Sequence, residues 1–321
     1  MKTFVFIPDT HHDAGLGHLY RCYQYSNYTD KNDKIIFLIN KKFNKSFLLK
    51  KNNKLNKINY IYYNNLKAEL EKIRLKYKMI YTILDSYLKK IHKINFNFYS
   101  SKSIEILDYK QKSDADFIID HTFKRHKKFH SLNVKSKIFI GHQFFPINDV
   151  IKNKLRDTIL INFGSINNKN LIIKSLFMIN DLDLKFIKKI AIINNFIKKK
   201  DIPKLQINKK IAILKFTKNL KTFYRRSFFT IGACGISLYE KSFFSVPSIS
   251  VSVAKNQNFN FKNFLSSKCI LDLHKILNLN FKRKSNKTKF LKLIKNVESQ
   301  LGKIFRHKEN KKNIKNFFKN I

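Results

Sequence analysis

"TFVFIPDTHHDAGLGHLYRC" (residues 3–22) joins an apolar run to a glycine turn and then to a predicted helix. The run 3–7 has the composition of a buried β-strand, and the helix is predicted to begin near His18. Gly15 and Gly17 permit a tight turn and a close approach of the backbone to a ligand, and the helix start offers free N–H groups. The third glycine and the acidic residue of a dinucleotide-binding fingerprint are missing. A simple strand–helix turn therefore remains the alternative.

Strands and helices alternate outward from this stretch. In the first half, further strands are predicted at 34–40, 58–63, 79–85, 103–108, 116–120 and 137–141, with an amphipathic helix at 66–77. The alternation restarts in the second half with a strand entering a glycine turn and a helix, at 157–165 and 168–179. It continues with four strands, at 189–194, 210–216, 228–233 and 247–253, and with a helix at 236–244 between the last two. Such alternation is typical of α/β proteins with parallel sheets.

Two restarts, each with a strand that runs into a glycine turn, predict two Rossmann-like domains. The join is expected within 145–157, which gives an N-terminal domain of residues 1–150 and a C-terminal domain of residues 151–321. From about residue 286 the chain has the pattern of a lysine-rich helix. We expect this tail to be a solvated closing helix of the second domain.

The formal net charge of +45 invites a nucleic-acid interpretation. However, only eight of the 66 basic residues are arginine, and the lysines are spread along the whole chain. Lysine, asparagine, isoleucine and phenylalanine are all abundant, which is typical of nucleotide-composition bias and not of selection for one basic face. Proteins that read phosphates usually concentrate their charge and favour arginine. We expect no specific nucleic-acid partner, but a general affinity for anionic substrates.

The three cysteines, Cys22, Cys234 and Cys269, lie far apart and form no CxxC pair. This pattern predicts a reducing compartment with neither a disulfide framework nor a zinc site. The apolar run before Pro8 is too short for a signal peptide, and no run approaches the ~20 residues of a membrane span. The expectation is a cytoplasmic, monomeric globular protein without a metal or an organic cofactor.

Ligands of open α/β sheets bind at the carboxyl ends of the strands, so the residues just after each strand are the candidates for chemistry. His18 stands at such a position, where a histidine can act as a general base near neutral pH. The remaining histidines show no spacing typical of metal ligands. They are predicted to be mostly surface residues, and the ones concerned are His11, His12, His121, His126 and His130.

In the second half, "TIGACGISLYEKSFFSVPSISVSVAKNQ" (residues 230–257) is the more specific segment. A strand, a loop of small residues and a helix start predict a backbone cradle for phosphate, formed by Ala233, Cys234, Gly235, Ile236 and Ser237. Glu240 lies about one helical turn further on, where a carboxylate can bind two ribose hydroxyls. Asn256 and Gln257 follow the next strand, and "NFGS" (residues 162–165) ends an earlier one with Gly164 and Ser165. A capped core helix with an exposed glutamate is the alternative.

Together these segments resemble the UDP-sugar hydrolases of pseudaminic acid biosynthesis, which act on UDP-2,4-diacetamido-2,4,6-trideoxy-β-L-altropyranose. The first motif is "DTHHDAGLGHLYRC" (residues 9–22), in which Asp9, Gly15, Gly17, His18, Arg21 and Cys22 fall on the family's pattern. "ILDSYL" (residues 83–88) is similar to the family's I-D-x-Y segment and aligns Asp85 and Tyr87. "NFGSINNKN" (residues 162–170) and the helix around Glu240 with its downstream "NQ" complete the order.

The resemblance implies a GT-B architecture, in which two Rossmann-like domains face each other across a cleft. It also implies a relation to the peptidoglycan N-acetylglucosaminyltransferases. His18 resembles the catalytic base, Tyr87 a sugar-facing helper, and Asp85 a further member of the catalytic set. Glu240 resembles the ribose clamp, while Asn256 and Gln257 resemble donors near the pyrophosphate or the sugar. The implied reaction is metal-independent cleavage of the anomeric C–O bond with inversion, which releases UDP and the free sugar.

The sequence departs from the family where arginine often stands, at Ile7 and Asn148, and where a second glycine often stands, at Ser165. The first two departures lie on the predicted sugar side and leave the exact sugar open. A GT-B glycosyltransferase that uses a UDP-sugar donor is the main alternative, and "FNKSFLLKKNNK" (residues 43–54) could be its lipid-acceptor patch. A basic protein that binds nucleic acid or a membrane surface is the remote alternative.

Overall fold

The structure of the 321-residue chain is a computed structural model. It describes residues 1–11, 16–45, 48, 58–130, 136–147, 150, 156–164, 167–203, 210–215 and 220–321. Of the predicted site positions, Gly15, Ser165 and Asn148 lie outside these residues, as does most of the candidate acceptor patch 43–54. The chain divides into two compact units, of which the first comprises Met1–Asn148 with Lys308–Ile321 and the second Asp149–His307.

In the first unit, the described residues form one parallel sheet of seven strands. In chain order these are β1 (Thr3–Pro8), β2 (Lys34–Asn40), β3 (Ile58–Tyr63), β4 (Ile80–Asp85), β5 (Lys102–Ile106), β6 (Phe117–Asp120) and β7 (Lys137–Ile140). Their order across the sheet is β3-β2-β1-β4-β5-β6-β7. Because β2 and β3 lie on one side of β1 and the later strands on the other, the strand order reverses between β1 and β4.

Helices cover both faces of this sheet, among them α1 (Gly17–Ser26), α2 (Leu66–Lys76) and the one-turn α3 (Lys89–His92). Side chains alternate along β1, as expected for a strand that is buried on both sides. Phe4 and Phe6 pack in a cluster with Leu19 of α1. Val5 and Ile7 pack in a second cluster with α2. Helix α1, the first helix after β1, therefore packs on one face of the sheet and α2 on the other.

The second unit has a six-stranded parallel sheet within its described residues. Its strands are β8 (Thr158–Asn162), β9 (Lys189–Ile193), β10 (Lys210–Leu214), β11 (Ser227–Ala233), β12 (Ser248–Val251) and β13 (Leu271–Asp272). They are ordered β10-β9-β8-β11-β12-β13, so the reversal lies between β8 and β11. The helices are α4 (Lys169–Leu182), α5 (Leu220–Arg226), α6 (Ile236–Phe243), α7 (Asn258–Ser266) and α8 (Leu273–Leu277). The predicted fold class, two Rossmann-like α/β domains, is confirmed.

The lysine-rich tail differs from its prediction as a solvated closing helix. It forms two helices, α9 (Lys284–Ile304) and α10 (His307–Asn320), and each buries one apolar face. Ile314, Phe317 and Phe318 of α10 pack in the same cluster as Phe4. Residues 308–321 therefore group with the first unit, whereas the sequence placed all of 151–321 in the second domain. The tail is partly buried because its apolar residues recur every three or four positions, which gives each helix an apolar stripe that packs against the protein.

No helix in the described part of the chain is long and apolar enough to cross a membrane.

Candidate active site

The first group of predicted site residues lies at the switch point between β1 and β4. Pro8 and Asp85 are register partners, and the backbone N–H of Asp9 donates to the Asp85 carbonyl at 2.7 Å. The Asp9 carboxylate then accepts from the Ser86 hydroxyl at 3.0 Å and from the Tyr87 N–H at 3.2 Å, both at Oδ2. Asp9 is 4% exposed and ties the two strand ends together. Its carboxylate thus lies at the carboxyl edge of the sheet, where it holds the first residues that follow β4.

His18 occupies the first turn of α1 and reaches the end of β4. Its Nδ1 lies 2.6 Å from Asp85 Oδ1, and both side chains are buried. An ionised carboxylate can only accept a hydrogen bond, so Nδ1 carries the proton and donates. The other ring nitrogen, Nε2, then has its lone pair free to take a proton from a substrate. The pairing gives His18 the tautomer that a general base requires.

Arg21 lies one turn after His18 on the same face of α1 and is fully buried. Its Nε donates to Asp85 Oδ2 at 2.6 Å, and a terminal nitrogen donates to Asp85 Oδ1. A second terminal nitrogen donates to Asp108 Oδ2 at 2.8 Å. Burial by itself would raise the pKa of Asp85, but the charges of Arg21 and His18 outweigh burial and hold it below its ordinary value. Asp85 therefore stays ionised as the partner of His18.

Tyr87 connects His18 to the Asp108 carboxylate. The Tyr87 ring meets the His18 ring edge to face, with centroids 4.5 Å apart and planes at 87°. Its hydroxyl donates to Asp108 Oδ1 at 2.9 Å, although the residue is 40% exposed. The exposed fraction belongs to the residue as a whole, whereas the titrating hydroxyl is enclosed beside Asp108. Burial of this hydroxyl, the charge of Asp108 and the hydrogen bond to Asp108 raise the pKa of Tyr87 well above its ordinary value, and the charge of Arg21 offsets this rise only in part. The hydroxyl therefore remains a hydrogen-bond donor.

Asp108 is a site residue that sequence reasoning missed. It follows β5 by two residues, and the predicted strand 103–108 ended on it, so its position at a carboxyl end was the available signal. Burial opposes its ionisation, yet Arg21 and His121 lower the pKa of Asp108 far below its ordinary value. Asp85 and Asp108 thus place two carboxylates around one guanidinium, which makes the surroundings of His18 negative.

Two of the histidines predicted to lie on the surface are buried instead. His121 is 2% exposed, and its Nε2 lies 3.3 Å from a terminal nitrogen of Arg21. Burial and the charge of Arg21 lower the pKa of His121 to about 4, so its ring is neutral. His130 is 6% exposed, and its Nε2 lies 2.8 Å from Asp120 Oδ2. Both histidines are buried because β6 runs beside β5 within the sheet, so that Asp120 and His121 at its end lie in the interior.

Two further predicted residues of the first motif have structural roles. Gly17 is the first residue of α1, where the chain turns into the helix. Cys22 is fully buried in α1, and burial together with the charge of Asp85 raises the pKa of its thiol well above the ordinary value. A thiol in that state is inert as a nucleophile. Among the described residues, no three His, Cys, Asp or Glu side chains are grouped as metal ligands.

In the second unit, the predicted glycine turn follows β8. Gly164 has φ +80°, a conformation that favours glycine, and its N–H donates to Asn162 Oδ1 at 2.9 Å. On the neighbouring strand β11, a Cβ at Gly232 would lie 1.9 Å from the Asn162 carbonyl oxygen. Glycine at 232 therefore lets β11 approach β8 closely at this end of the sheet.

The loop from β11 to α6 contains the predicted phosphate cradle. Ala233 and Cys234 are buried, Gly235 precedes the helix, and Ile236 and Ser237 form its first turn. The Gln257 side chain approaches this loop, since a Cβ at Gly235 would lie 3.7 Å from Gln257 Nε2. Gln257 Oε1 accepts from the Val253 N–H at 3.2 Å, which turns its amide N–H₂ toward the loop. Asn256 is exposed beside it.

Glu240 lies on the second turn of α6, and the hydroxyl of the buried Tyr224 donates to its Oε2 at 3.3 Å. Its neighbour Lys241 was not singled out from the sequence, yet it is 2% exposed. The Lys241 ammonium donates to Ser248 Oγ at 3.1 Å. Burial lowers the pKa of Lys241 to about 8. Only the burial of α6 against the sheet makes this lysine unusual, so no local pattern could have revealed it.

No protein-family model matches this sequence, and no curated protein matches it significantly. Solved structures do match in fold. A Phytolacca americana UGT2 complexed with UDP-2-fluoro-glucose and pterostilbene has a TM-score of 0.66 at 8% identity, over 95% of this chain and 93% of that one. A Siraitia grosvenorii UGT transferase in complex with UDP has a TM-score of 0.66 at 11% identity, over 99% of both chains. Acinetobacter baumannii MurG has a TM-score of 0.64 at 11% identity, over 100% of both chains.

At these identities the likeness concerns the fold alone. It confirms the predicted fold class, since these neighbours are GT-B glycosyltransferases and this chain likewise has two Rossmann-like units, each with a parallel sheet. The narrower resemblance to the pseudaminic acid hydrolases stays a prediction.

Proposed function

We propose that this protein is an enzyme that transfers the sugar of a UDP-sugar to an acceptor hydroxyl, with His18 as the general base. The observation that carries the proposal is the buried His18–Asp85 pair, 2.6 Å apart, at the switch point of a GT-B fold. Switch points at the carboxyl ends of strands are where open α/β sheets bind their ligands. The UDP bound in the Siraitia grosvenorii neighbour supports a nucleotide-sugar donor.

The proposed reaction is a single displacement at the anomeric carbon. His18 Nε2 takes the proton of the acceptor hydroxyl, and the acceptor oxygen forms the new bond to the anomeric carbon. The bond from that carbon to UDP breaks, and its electron pair leaves on the diphosphate oxygen. One displacement inverts the anomeric configuration. Asp85 stabilises the imidazolium that forms on His18, because it is held ionised beside Nδ1.

We propose that residues of the second unit bind the UDP part. Within the described part of the chain, the backbone N–H groups at the start of α6, from Gly235 to Ser237, make no hydrogen bond and can donate to phosphate, and the helix end carries partial positive charge. Glu240, held by Tyr224, is proposed to bind the ribose hydroxyls. The remaining proposed contacts come from Gly164, Ser165, Ala233, Cys234, Asn256 and Gln257. Because these N–H groups can meet the charge of the leaving diphosphate, the reaction is proposed to need no metal.

Hydrolysis is the second candidate, in which water replaces the acceptor hydroxyl. The observation in its favour is the convergence of the two motifs that resemble the hydrolase family: His18 of the first contacts both Asp85 and Tyr87 of the second. The substrate would then be a UDP-linked diacetamido-trideoxy sugar of the pseudaminic type. The solved neighbours support transfer better than hydrolysis, since they are glycosyltransferases.

Release of UDP from UDP-sugars separates the two candidates. The purified protein is incubated with UDP-N-acetylglucosamine or with the UDP-diacetamido-trideoxy sugar, in ¹⁸O-labelled water, with and without sugar and lipid acceptors. Transfer predicts UDP only when an acceptor is present. Hydrolysis predicts equal amounts of UDP and free sugar in water alone, with the label in the sugar and the inverted anomer formed first. A chelator is expected to leave either rate unchanged.

Label in UDP would mean attack at phosphorus, which contradicts both candidates. Absence of UDP release with every donor and acceptor, from a folded protein, would reject the proposed class of substrate.

A further inference from the structure

The peptide bond between Ser86 and Tyr87 is held from both of its sides. Its N–H donates to Asp9 Oδ2 at 3.2 Å. Its carbonyl oxygen, that of Ser86, lies 2.7 Å from His92 Nε2 and accepts from the Tyr109 hydroxyl at 3.1 Å. This peptide stands directly between Asp85, the partner of His18, and Tyr87, whose ring touches His18. Its orientation therefore determines where the Tyr87 ring lies.

His92 is placed between two acceptors. On one side Nε2 faces the Ser86 carbonyl, and on the other Nδ1 lies 3.4 Å from Glu105 Oε1. The His92 side chain is 6% exposed and that of Glu105 is 8% exposed, so water replaces neither contact easily. A neutral imidazole has one N–H and would turn a lone pair toward one of these oxygens. Only the imidazolium donates to both at once.

Tyr109 reinforces the same arrangement. Its hydroxyl lies 2.9 Å from His92 Nε2 as well as near the Ser86 carbonyl, and its ring packs edge to face on Tyr87 with centroids 4.9 Å apart. Movement of the Ser86 carbonyl would thus disturb Tyr87 through the peptide and through Tyr109. His92, Glu105 and Tyr109 do not touch His18 in any described contact.

We propose that protonated His92 is a positioning residue that holds the Ser86–Tyr87 peptide and thereby keeps Tyr87 against His18, so that the geometry around the base depends on pH. As far as catalysis is concerned, this inference rests on the proposed function. The groups that face His92 are Glu105 from β5, Tyr109 from the following loop, the Ser86 carbonyl from the loop after β4, and Asp9 at longer range from the loop after β1.

The direction of the pH effect follows from these neighbours. Burial disfavours the charged ring, but the hydrogen bond and charge of Glu105, the Ser86 carbonyl and Asp9 together raise the pKa of His92 above its ordinary value. Below about pH 6.5, the ordinary value, His92 is charged and the peptide is held. As the pH rises through the raised pKa, His92 loses its proton and the hold weakens.

Nuclear magnetic resonance tests this without any substrate. The protein is labelled with ¹³C in its tyrosine rings, and the Tyr87 signal is assigned by its loss in Tyr87→Phe. In the wild type this signal is expected to shift with the titration of His92. In His92→Gln, whose amide can still donate to the Ser86 carbonyl, that shift should vanish. In Glu105→Gln, which keeps the shape of the side chain, the transition should move to lower pH, because burial remains while the carboxylate charge is lost.

Exposed His126 supplies the matched control: His126→Gln should leave the Tyr87 transition where it is. Any transition that comes from His18 itself should persist in both His92→Gln and Glu105→Gln. A Tyr87 signal that shifts identically in the wild type and in both variants would overturn the proposal. If His92→Gln fails to fold, Glu105→Gln alone decides between the two outcomes.

Kinetics provide the second readout. For a UDP-sugar that the wild type turns over, His92→Gln should lower kcat and remove the fall of kcat on the alkaline side, with little change in KM for the donor. An unaltered pH profile would reject the positioning role. The two proposals fail separately. If no UDP-sugar is turned over but the Tyr87 signal follows the titration of His92, only the proposed function is rejected. If a UDP-sugar is turned over but the Tyr87 signal does not respond to His92, only the positioning role is rejected.

Discussion

The imidazole of His18 donates from Nδ1 to Asp85 Oδ1 over 2.6 Å, although 67 positions separate the two residues in the chain. The contact exists because β1 and β4 are neighbours and because α1 begins next to the end of β1. It directs the lone pair of the ring to Nε2, and Arg21 holds the same carboxylate from its other side. Three residues from two distant segments therefore form one buried unit around the proposed base.

Replacement of His18 by asparagine is expected to abolish turnover while UDP affinity stays nearly unchanged. Asparagine can still donate to Asp85, but it cannot take a proton, and loss of a positioned base costs about 10²–10⁴-fold in rate. UDP affinity is proposed to depend on the second unit, and titration calorimetry measures it. His126→Asn, at an exposed position, is the control and should behave as the wild type. A normal rate in His18→Asn would remove this residue from the mechanism.

Replacement of Arg21 by methionine should lower the free energy of unfolding by about 3–5 kcal/mol at pH 7, because it leaves two buried carboxylates without their cation. The pKa of Asp85 is lowered in the folded protein, so its contribution is present above about pH 3.9 and lost as the pH falls through the lowered value. The difference in the free energy of unfolding between the wild type and Arg21→Met should therefore become smaller in acid. Urea unfolding at several pH values measures this difference.

Arg74 is the matched control for Arg21, since it pairs with Glu71 on the exposed face of α2. Arg74→Met is expected to leave the unfolding transition essentially where it is. Equal effects of the two substitutions would show that the Arg21 cluster contributes nothing special to stability.

Glu240→Ala should weaken UDP binding by about 2 kcal/mol, roughly a 30-fold rise in Kd, the loss expected for hydrogen bonds to a charged acceptor. Tyr224→Phe should produce a smaller loss, because it removes only the hydroxyl that holds Glu240 Oε2. Calorimetric titration with UDP provides both values, with Glu309→Ala at an exposed site as the control. Unchanged affinity in Glu240→Ala would make Glu240 an ordinary helix residue.

Lys241→Met is expected to change the pH dependence of stability. Burial lowers the pKa of Lys241 to about 8, whereas an unfolded lysine has about 10.4. Between these values the unfolded chain binds more protons, so wild-type stability rises with pH there. Relative to that of Lys241→Met, the free energy of unfolding of the wild type should rise by up to ~3 kcal/mol between pH 7 and pH 11. Thermal unfolding across that range measures this rise in the free energy of unfolding. The rise should be absent in Lys241→Met and unchanged in the control Lys303→Met, at an exposed position.

Duplex DNA should bind weakly and without sequence preference, although the net charge is +45. The lysines are spread over the chain, so any binding is expected to consist of counterion release and to fall steeply as salt rises. Fluorescence anisotropy with two unrelated duplexes at low and physiological salt tests this. Tight binding of one duplex over the other at physiological salt would restore the nucleic-acid hypothesis.

Local patterns predicted most of what depends on neighbouring residues. The apolar run 3–7, the strand at 79–85 and the helix around Glu240 lie where periodicity placed them, because each pattern records which side of its own element is buried. His18, Asp85 and Tyr87 could be named from two short motifs, and the structure brings these three together.

What escaped prediction depends on which elements become neighbours. Asp108 joins Arg21 and Tyr87 only because β5 follows β4 across the sheet, and His121 is buried only because β6 follows β5. His92 gains its two acceptors from residues on either side of it in the chain that meet at the same edge.

The chain's own order of apolar runs, turns and helix starts determined two parallel α/β sheets and the glycine turn at Gly164, because those features arise from local geometry and from burial of each element's apolar face. Tertiary structure decided the rest: the ionisation of Asp85 and Asp108 around Arg21, the lowered pKa of Lys241, and the packing of Phe317 and Phe318 beside Phe4. Charge and burial at these positions come from residues distant in sequence, and only the order of strands across a sheet brings such residues within a few ångströms of each other.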